Sequence, residues 1–138
     1  MTKAIGTANQ SQSKLVPPHA SPVLKEKRLT GDALLAAQQK AQILPQITIS
    51  SREAGDLIML GIGGFTPLDG FMNHADWQSV CDNMHIATGD NKGVFFPIPI
   101  TLSTDQAQAD ALNIGDDIAL VYQGDIMGIL TLSEKYHI

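Results

Sequence analysis

Glycines, four histidines, one cysteine and fourteen acidic side chains are the groups through which this sequence could do chemistry. The glycine-rich run Gly61-Ile62-Gly63-Gly64-Phe65-Thr66 invites a phosphate-binding reading, but Thr66 stands where G-x-G-x-x-G needs its third glycine. Its expected place is also wrong, at the end of a helix, where glycines cap, and not at the start, where N–H groups face an anion. No G-x-x-x-x-G-K-S/T segment occurs, and Lys92-Gly93 has that pair reversed. His74, Cys81 and His85 fall at i, i+7 and i+11, one side of a continuous helix, and so could ligate a metal. Against that, Cys81 shares an apolar spacing with Trp77, Val80 and Met84, which favours a core cysteine flanked by two histidines. Neither C-x-x-C nor H-x-x-x-H supports a metal.

Nucleophilic catalysis finds no better support. His19, His74, His85 and His137 are scattered, and no G-x-S-x-G elbow presents a serine. Asp116-Asp117, Asp69 and Asp76 lie beside glycines or helix starts, where carboxylates form turns and caps, so each reads as a solvated structural group. Arg28 and Arg52 are the only arginines, poor equipment for clamping a triphosphate. The residues by themselves describe an accessory domain with no catalytic, cofactor-binding or metal-ligating residue of its own.

Such side chains act only where elements hold them. The chain has 138 residues, 43% hydrophobic and 17% charged, which suits one globular domain able to bury a core without disulfides. A formal charge of −5 argues against a nucleic-acid partner. No apolar run approaches the ~18 residues of a membrane span and no signal peptide is visible, so no membrane partner and a cytoplasmic location are expected. Residues 1–13 are polar and aperiodic and read as a flexible N-terminal tail; residues 14–138 read as one folded unit. Thr30 should cap a helix from Gly31 that ends before Pro45, and Ile47 and Ile49 alternate as a short strand. Ser50 and Glu53 form a capping box for a helix with Ala54, Leu57, Ile58 and Gly61 as its apolar stripe. After the Thr66–Gly70 turn, Asn73 caps the helix carrying Trp77, Val80, Cys81 and Met84. Val94–Phe96 and Ile98–Leu102 are strand-like, confined to an edge or a bulge by Pro97 and Pro99, and Gln123-Gly124-Asp125 reverses Ile118–Val121 into Ile126–Leu132. The expected class is α+β, a small partly open β-barrel with added helices.

Three stretches resemble the N-terminal domain of the ATP sulfurylase (sulfate adenylyltransferase) family. Leu15-Val16-Pro17-Pro18-His19 matches its L-V-P-P-H opening, Asp56–Met72 its D-L-x-M-x-x-x-G-x-F-[ST]-P-L-x-G-F-M block, and Phe96–Leu102 its W/F-P-I-P-I-T-L segment. The middle block is the most specific of the three. The chain departs from the pattern at Ala20-Ser21, where the family usually has Gly-Gly, and at Ile58, where it often has Glu.

The resemblance implies a PUA-like domain N-terminal to a catalytic domain that is absent here. That family makes adenosine 5′-phosphosulfate and pyrophosphate from MgATP and sulfate, or runs in reverse in sulfur oxidation. A sulfate oxygen attacks the α-phosphorus with no enzyme nucleophile. The groups that serve this chemistry lie in Q-x-R-N-P and H-x-x-H segments, and neither occurs in this sequence. So the chain is expected to be an inactive fragment of a nucleotidyltransferase of sulfate assimilation, partnered by the catalytic domain of the same polypeptide within a homo-oligomer, with MgATP bound elsewhere. Two rival readings are a PUA-like RNA-binding module, which the acidic charge disfavours, and a purely structural or oligomerisation domain.

Overall fold

The short strand before the capping box and the long hairpin near the C-terminus form one sheet, and the helices before and after that short strand pack against the hairpin. The computed structural model describes residues 15–138; the tail expected over 1–13 lies outside the described residues. In chain order the elements are α1 (Gly31–Ala41), β1 (Gln46–Thr48), α2 (Ser51–Gly61), α3 (His74–Asn83), a 3₁₀ turn (Gly89–Asn91), α4 (Gln106–Ala111), β2 (Asp117–Tyr122) and β3 (Asp125–Thr131). The sheet runs β1-β2-β3, with β1 parallel to β2 (Ile47 opposite Leu120) and β2 antiparallel to β3 (Ile118 opposite Leu130). With three strands it stays open, an α+β arrangement as expected.

Local chemistry explains the elements that were expected. Gln123 and Gly124 adopt φ 51° and 90°, the two left-handed residues of a tight hairpin whose twist matches its strands. Ser50 accepts from the Glu53 amide and the Glu53 side chain reaches back, a complete capping box. Asn73 caps α3 by accepting from the Asp76 amide. Thr30 occupies the N-cap of α1, but its side chain makes no capping bond.

Two apolar clusters form the core. On the sheet side Ile47, Ile49, Ala54, Leu112, Ile118 and Leu120 pack together. On the other side, among loops and α3, Leu60, Leu68, Met72, Val80, Ile86, Phe96 and Ile100 do the same. Phe71 touches both.

Several expectations are corrected here. The segments 94–96 and 98–102 form no strand; the only pairing is an isolated bridge between His85 and Phe95. Pro97 and Pro99 lack N–H donors, so the run stays extended and irregular while Phe96 and Ile100 plug the core. On α2 the buried face holds Glu53, Ala54 and Leu60, and Ile58 is 52% exposed. Cys81, within α3, is on its exposed face, and Met84 is 51% exposed because α3 ends at Asn83 and Met84 turns left-handed at φ 56°. Only Val80 of the expected stripe is fully buried, with Trp77 half-buried against the cluster. The short α4 lay in sequence with no apolar period to announce it.

Candidate functional site

The middle block and the loops around it place most of the polar side chains. At the end of α2 the glycine run closes the helix: the amides of Ile62, Gly63 and Gly64 donate to the carbonyls of Ile58, Leu60 and Met59 at 3.0, 3.2 and 2.7 Å. Those N–H groups are spent on the helix, which fits the capping role and leaves no cradle for a phosphate. Gly63 has φ +75°, and a Cβ there would sit 3.3 Å from Leu24 Cβ. The segment 24–28 crosses at this point, its Lys27 and Arg28 amides donating to the Gly61 carbonyl. Thr66 anchors the same crossing: its hydroxyl donates to the Gly63 carbonyl at 2.7 Å and accepts from the Lys25 amide at 3.1 Å.

This crossing carries the chain's one basic cluster, and each member has a local counter-ion. Lys25 and Lys27 straddle Asp69 at 2.7 and 3.2 Å, and Arg28 pairs with Glu26. The hydrogen bond from Lys25, with help from Lys27, holds the Asp69 carboxyl below its ordinary range. Arg52 likewise binds Asp56 at 2.8 Å. Paired in this way, the cluster presents little free positive charge to a polyanion.

Two buried carboxylates organise the loops. Glu53 is 2% exposed and accepts from the amides and hydroxyls of both Ser50 and Ser103 at 2.7–2.8 Å. Burial pushes its pKa up, but these bonds outweigh it and hold it down at about 2. Asp76, 8% exposed, accepts from the amides of Ala87 and Thr88 at 2.9 and 2.8 Å, from the Thr88 hydroxyl at 2.8 Å and from the Asn73 amide group at 3.1 Å. Sequence reasoning placed Asp76 as a solvated cap. It is instead a buried hub, since the third position of α3 points its carboxylate at the 86–88 loop. Asp69 stays exposed and Asp116 is half-buried, accepting from the Asn113 amide at 2.8 Å. Lys40 and Thr131 lower the Asp117 pKa. Among the described residues no buried side-chain nitrogen or oxygen lacks a partner.

The histidine and cysteine candidates are dispersed. His74 stacks on Trp77 with centroids 5.6 Å apart and lies 5.2 Å from Tyr136. His85, beyond the end of α3, turns back to the Asn83 carbonyl and meets the Phe95 ring edge-on. His19 binds the Phe95 carbonyl at 2.8 Å, and His137 ends up exposed near the C-terminus. No group of three His, Cys, Asp or Glu side chains that could hold a metal ion occurs among the described residues.

A second feature was invisible in the sequence. The C-terminal segment folds back over α3 and α4: Glu134 accepts from the His74 amide at 3.0 Å, Lys135 donates to the carbonyls of Ala109 and Leu112 at 2.9 Å, and the Tyr136 hydroxyl donates to the Met72 carbonyl at 2.8 Å. Burial first, then the charges of Glu134 and Cys81, raise the Tyr136 pKa. Between this segment and the sheet opens a cleft of about 270 Å³, lined by apolar side chains that include Leu102, Leu130 and Leu132.

An open three-stranded sheet with helices beside it describes a small α+β domain. The chain belongs to the PUA-like domain family, whose pattern matches residues 16–138. It is 66% identical over 133 residues to the sulfate adenylyltransferase of Psychrobacter arcticus, a match covering 96% of this chain and 32% of that protein. With the sulfate adenylyltransferase of Thiobacillus denitrificans it shares 54% identity over 128 residues, 91% of this chain and 30% of that protein. The chain thus spans about a third of the length of these relatives. A solved structure titled a hexameric APS kinase from Thiobacillus denitrificans superposes with a TM-score of 0.64 at 35% identity, over 75% of this chain and 20% of that one. The family resemblance read from Leu15–His19, Asp56–Met72 and Phe96–Leu102 is borne out. No helix among the described residues is long and apolar enough to cross a membrane.

Proposed function

We propose that residues 14–138 are the N-terminal accessory domain of a sulfate adenylyltransferase. The parent enzyme joins sulfate to the α-phosphate of MgATP, releasing pyrophosphate, in the cytoplasm. The observation that carries this reading is the 66% identity to a protein of that name across nearly the whole chain. The domain itself contributes no group that touches MgATP or sulfate: bringing two anions together needs several fixed cations or N–H donors, and the three cations of the crossing are each ion-paired, Lys25 and Lys27 sharing Asp69 and Arg28 held by Glu26. Its partner is the catalytic part of the same polypeptide, and the hexameric title of the superposable structure supports a homo-oligomeric parent. The direction of turnover is set by that catalytic part.

Sulfate-dependent pyrophosphate release tests the proposal. The whole polypeptide should turn over and the 138-residue chain should not; turnover by the chain near the parent's rate would place the active site here. RNA binding is the rival outcome, and tight salt-sensitive retention of RNA by the chain at low salt would favour it.

A further inference from the structure

We infer that the outward face of α2 is a self-association surface, packing antiparallel against α2 of a second copy of this chain with Ile62 of each copy seated over Gly55 of the other. This goes beyond the proposed function and stands on the surface itself.

Glu53, Ala54 and Leu60 of α2 are buried and Leu57 packs on the sheet-side cluster, so the opposite face looks away from the domain. At 3.6 residues per turn that face carries Gly55 and the C-cap residue Ile62 along its centre, with Ile58 and Met59 on its two flanks. Ile58, Met59 and Ile62 are 52%, 36% and 42% exposed, and Leu24, 56% exposed, extends the patch where it lies against Gly63. No free charge interrupts it, since Arg52 at its edge is bound to Asp56 at 2.8 Å. Glycine inside a helix is destabilising relative to alanine. A Cβ at Gly55 would meet nothing within 4 Å, so nothing inside the domain calls for glycine there, whereas the close approach of a second helix does.

The face is complementary to itself. Gly55 and Ile62 lie equally far on either side of the midpoint between Ile58 and Met59. An antiparallel pair about a two-fold axis at that midpoint therefore fits each Ile62 into the space over the other copy's Gly55 and sets Ile58 against Ile58 and Met59 against Met59, one patch serving both copies. Ile58 stands where the family pattern often has Glu, which argues against the shared catalytic part as the occupant. The four apolar side chains present on the order of 300–400 Å² per copy, the size of a patch that marks an interaction site. Doubled by symmetry and widened by a polar rim, the contact comes near the ~1,200 Å² at which specific interfaces begin, so the dimer should be weak, with a dissociation constant on the order of micromolar.

Disulfide trapping reads the register. Gly55→Cys, Ile58→Cys and Ile62→Cys are made one at a time with Cys81→Ser, in both the 138-residue chain and the whole polypeptide, with Ile114→Cys, 58% exposed in the turn before β2, as the collision control. All four positions are exposed, and circular dichroism melts check that each variant folds. After mild oxidation the linked peptides are identified by mass spectrometry. Ile58→Cys should link to itself, and a mixture of Gly55→Cys with Ile62→Cys should link across, each at least tenfold faster than Ile114→Cys links to itself. Rates no faster than that control would overturn the inference. So would an Ile58→Cys thiol shielded from reagent in the whole polypeptide at every dilution, which would put the rest of that polypeptide on this face. Sedimentation equilibrium gives an independent reading: Ile58→Glu should weaken self-association of the 138-residue chain at least tenfold, and unchanged association would also overturn it. Sulfate-dependent turnover of the whole-polypeptide variants reports separately on the proposed function: turnover without linking removes only the dimer, and linking without turnover removes only the enzymatic reading.

Discussion

The sheet side and the loop side of this domain bury equally apolar clusters but satisfy their main chains by different means. On the sheet side, β2 bonds to β1 and β3, and even the flanking groups join the ladder: the Ala119 amide donates to the Pro45 carbonyl and that of Ile49 to the Val121 carbonyl, both within 2.9 Å. On the loop side pairing is limited to the isolated His85–Phe95 bridge, where the Ile86 amide donates to the Val94 carbonyl and the Phe96 amide to the Met84 carbonyl. There a carboxylate at the third position of α3, Asp76, takes the amides of Ala87 and Thr88. Glu53, at the same position of α2, does the equivalent for Ser103, at the margin between the two sides. A buried main-chain N–H must find an acceptor. Where prolines and turns forbid a ladder, one charged oxygen serves two donors, and the stability of that side becomes sensitive to a single side chain and to pH.

The apolar halves of the comparison should respond alike. Ile118→Ala on the sheet side and Ile100→Ala on the loop side each remove a side chain at most 1% exposed, and each should lower stability by about 2–5 kcal/mol in urea melts. A loss below about 1 kcal/mol for Ile100→Ala alone would mean that the loop side is loosely packed and break the comparison.

The polar halves should differ. Asp76→Ala leaves two amides and a hydroxyl without their charged acceptor and should cost about 3 kcal/mol, with Asp76→Asn recovering part through its remaining oxygen. Hydrogen exchange sharpens this: the Ala87 and Thr88 amides should lose protection first, while those of β2 keep theirs.

Glu53 gives the pH dependence. Its folded pKa, about 2, lies below the ordinary 4.5, so its stabilisation is complete above pH 4.5 and fades as pH falls toward 2. Glu53→Gln should be less stable by about 1–3 kcal/mol at neutral pH and should lack this part of the acid sensitivity. Melts between pH 5 and 2 check it; parallel curves for the two proteins would contradict the assignment.

Much of this architecture was legible because its signals are local. Ser50-Glu53, Asn73 and Gln123-Gly124 each act within a few residues, and each forms as read. The loop side was not legible for the opposite reason. Nothing near Asp76 in sequence shows that its partners are eleven and twelve residues on. The apolar period through Cys81 and Met84 is real, but α3 stops before completing it. Ile58, which departs from the family pattern, is exposed on α2, so its apolar spacing misled. The cleft was hidden because the side chains lining it come from distant parts of the chain.

The smallest expected effects concern backbone strain. Gly63 is left-handed and closely packed, so Gly63→Ala should cost ~1 kcal/mol or more, while Gly70→Ala, with open space and no positive φ, should stay within about 0.5 kcal/mol. Ala20, where the family usually has glycine, adopts φ 49°. Ala20→Gly should therefore gain up to about 1 kcal/mol, and a loss in thermal melts would show that the turn is held by something other than its backbone.

The central claim is that this domain spends its charges on its own structure and leaves substrate chemistry to the rest of the polypeptide. Amide chemical shifts of the isotope-labelled 138-residue chain, followed during titration with MgATP and then sulfate, test it most directly. The account predicts no saturable, residue-specific shifts at millimolar ligand. Saturable shifts clustered at Lys25–Arg28 and the Gly61–Gly64 turn would contradict it and place a substrate site on this domain.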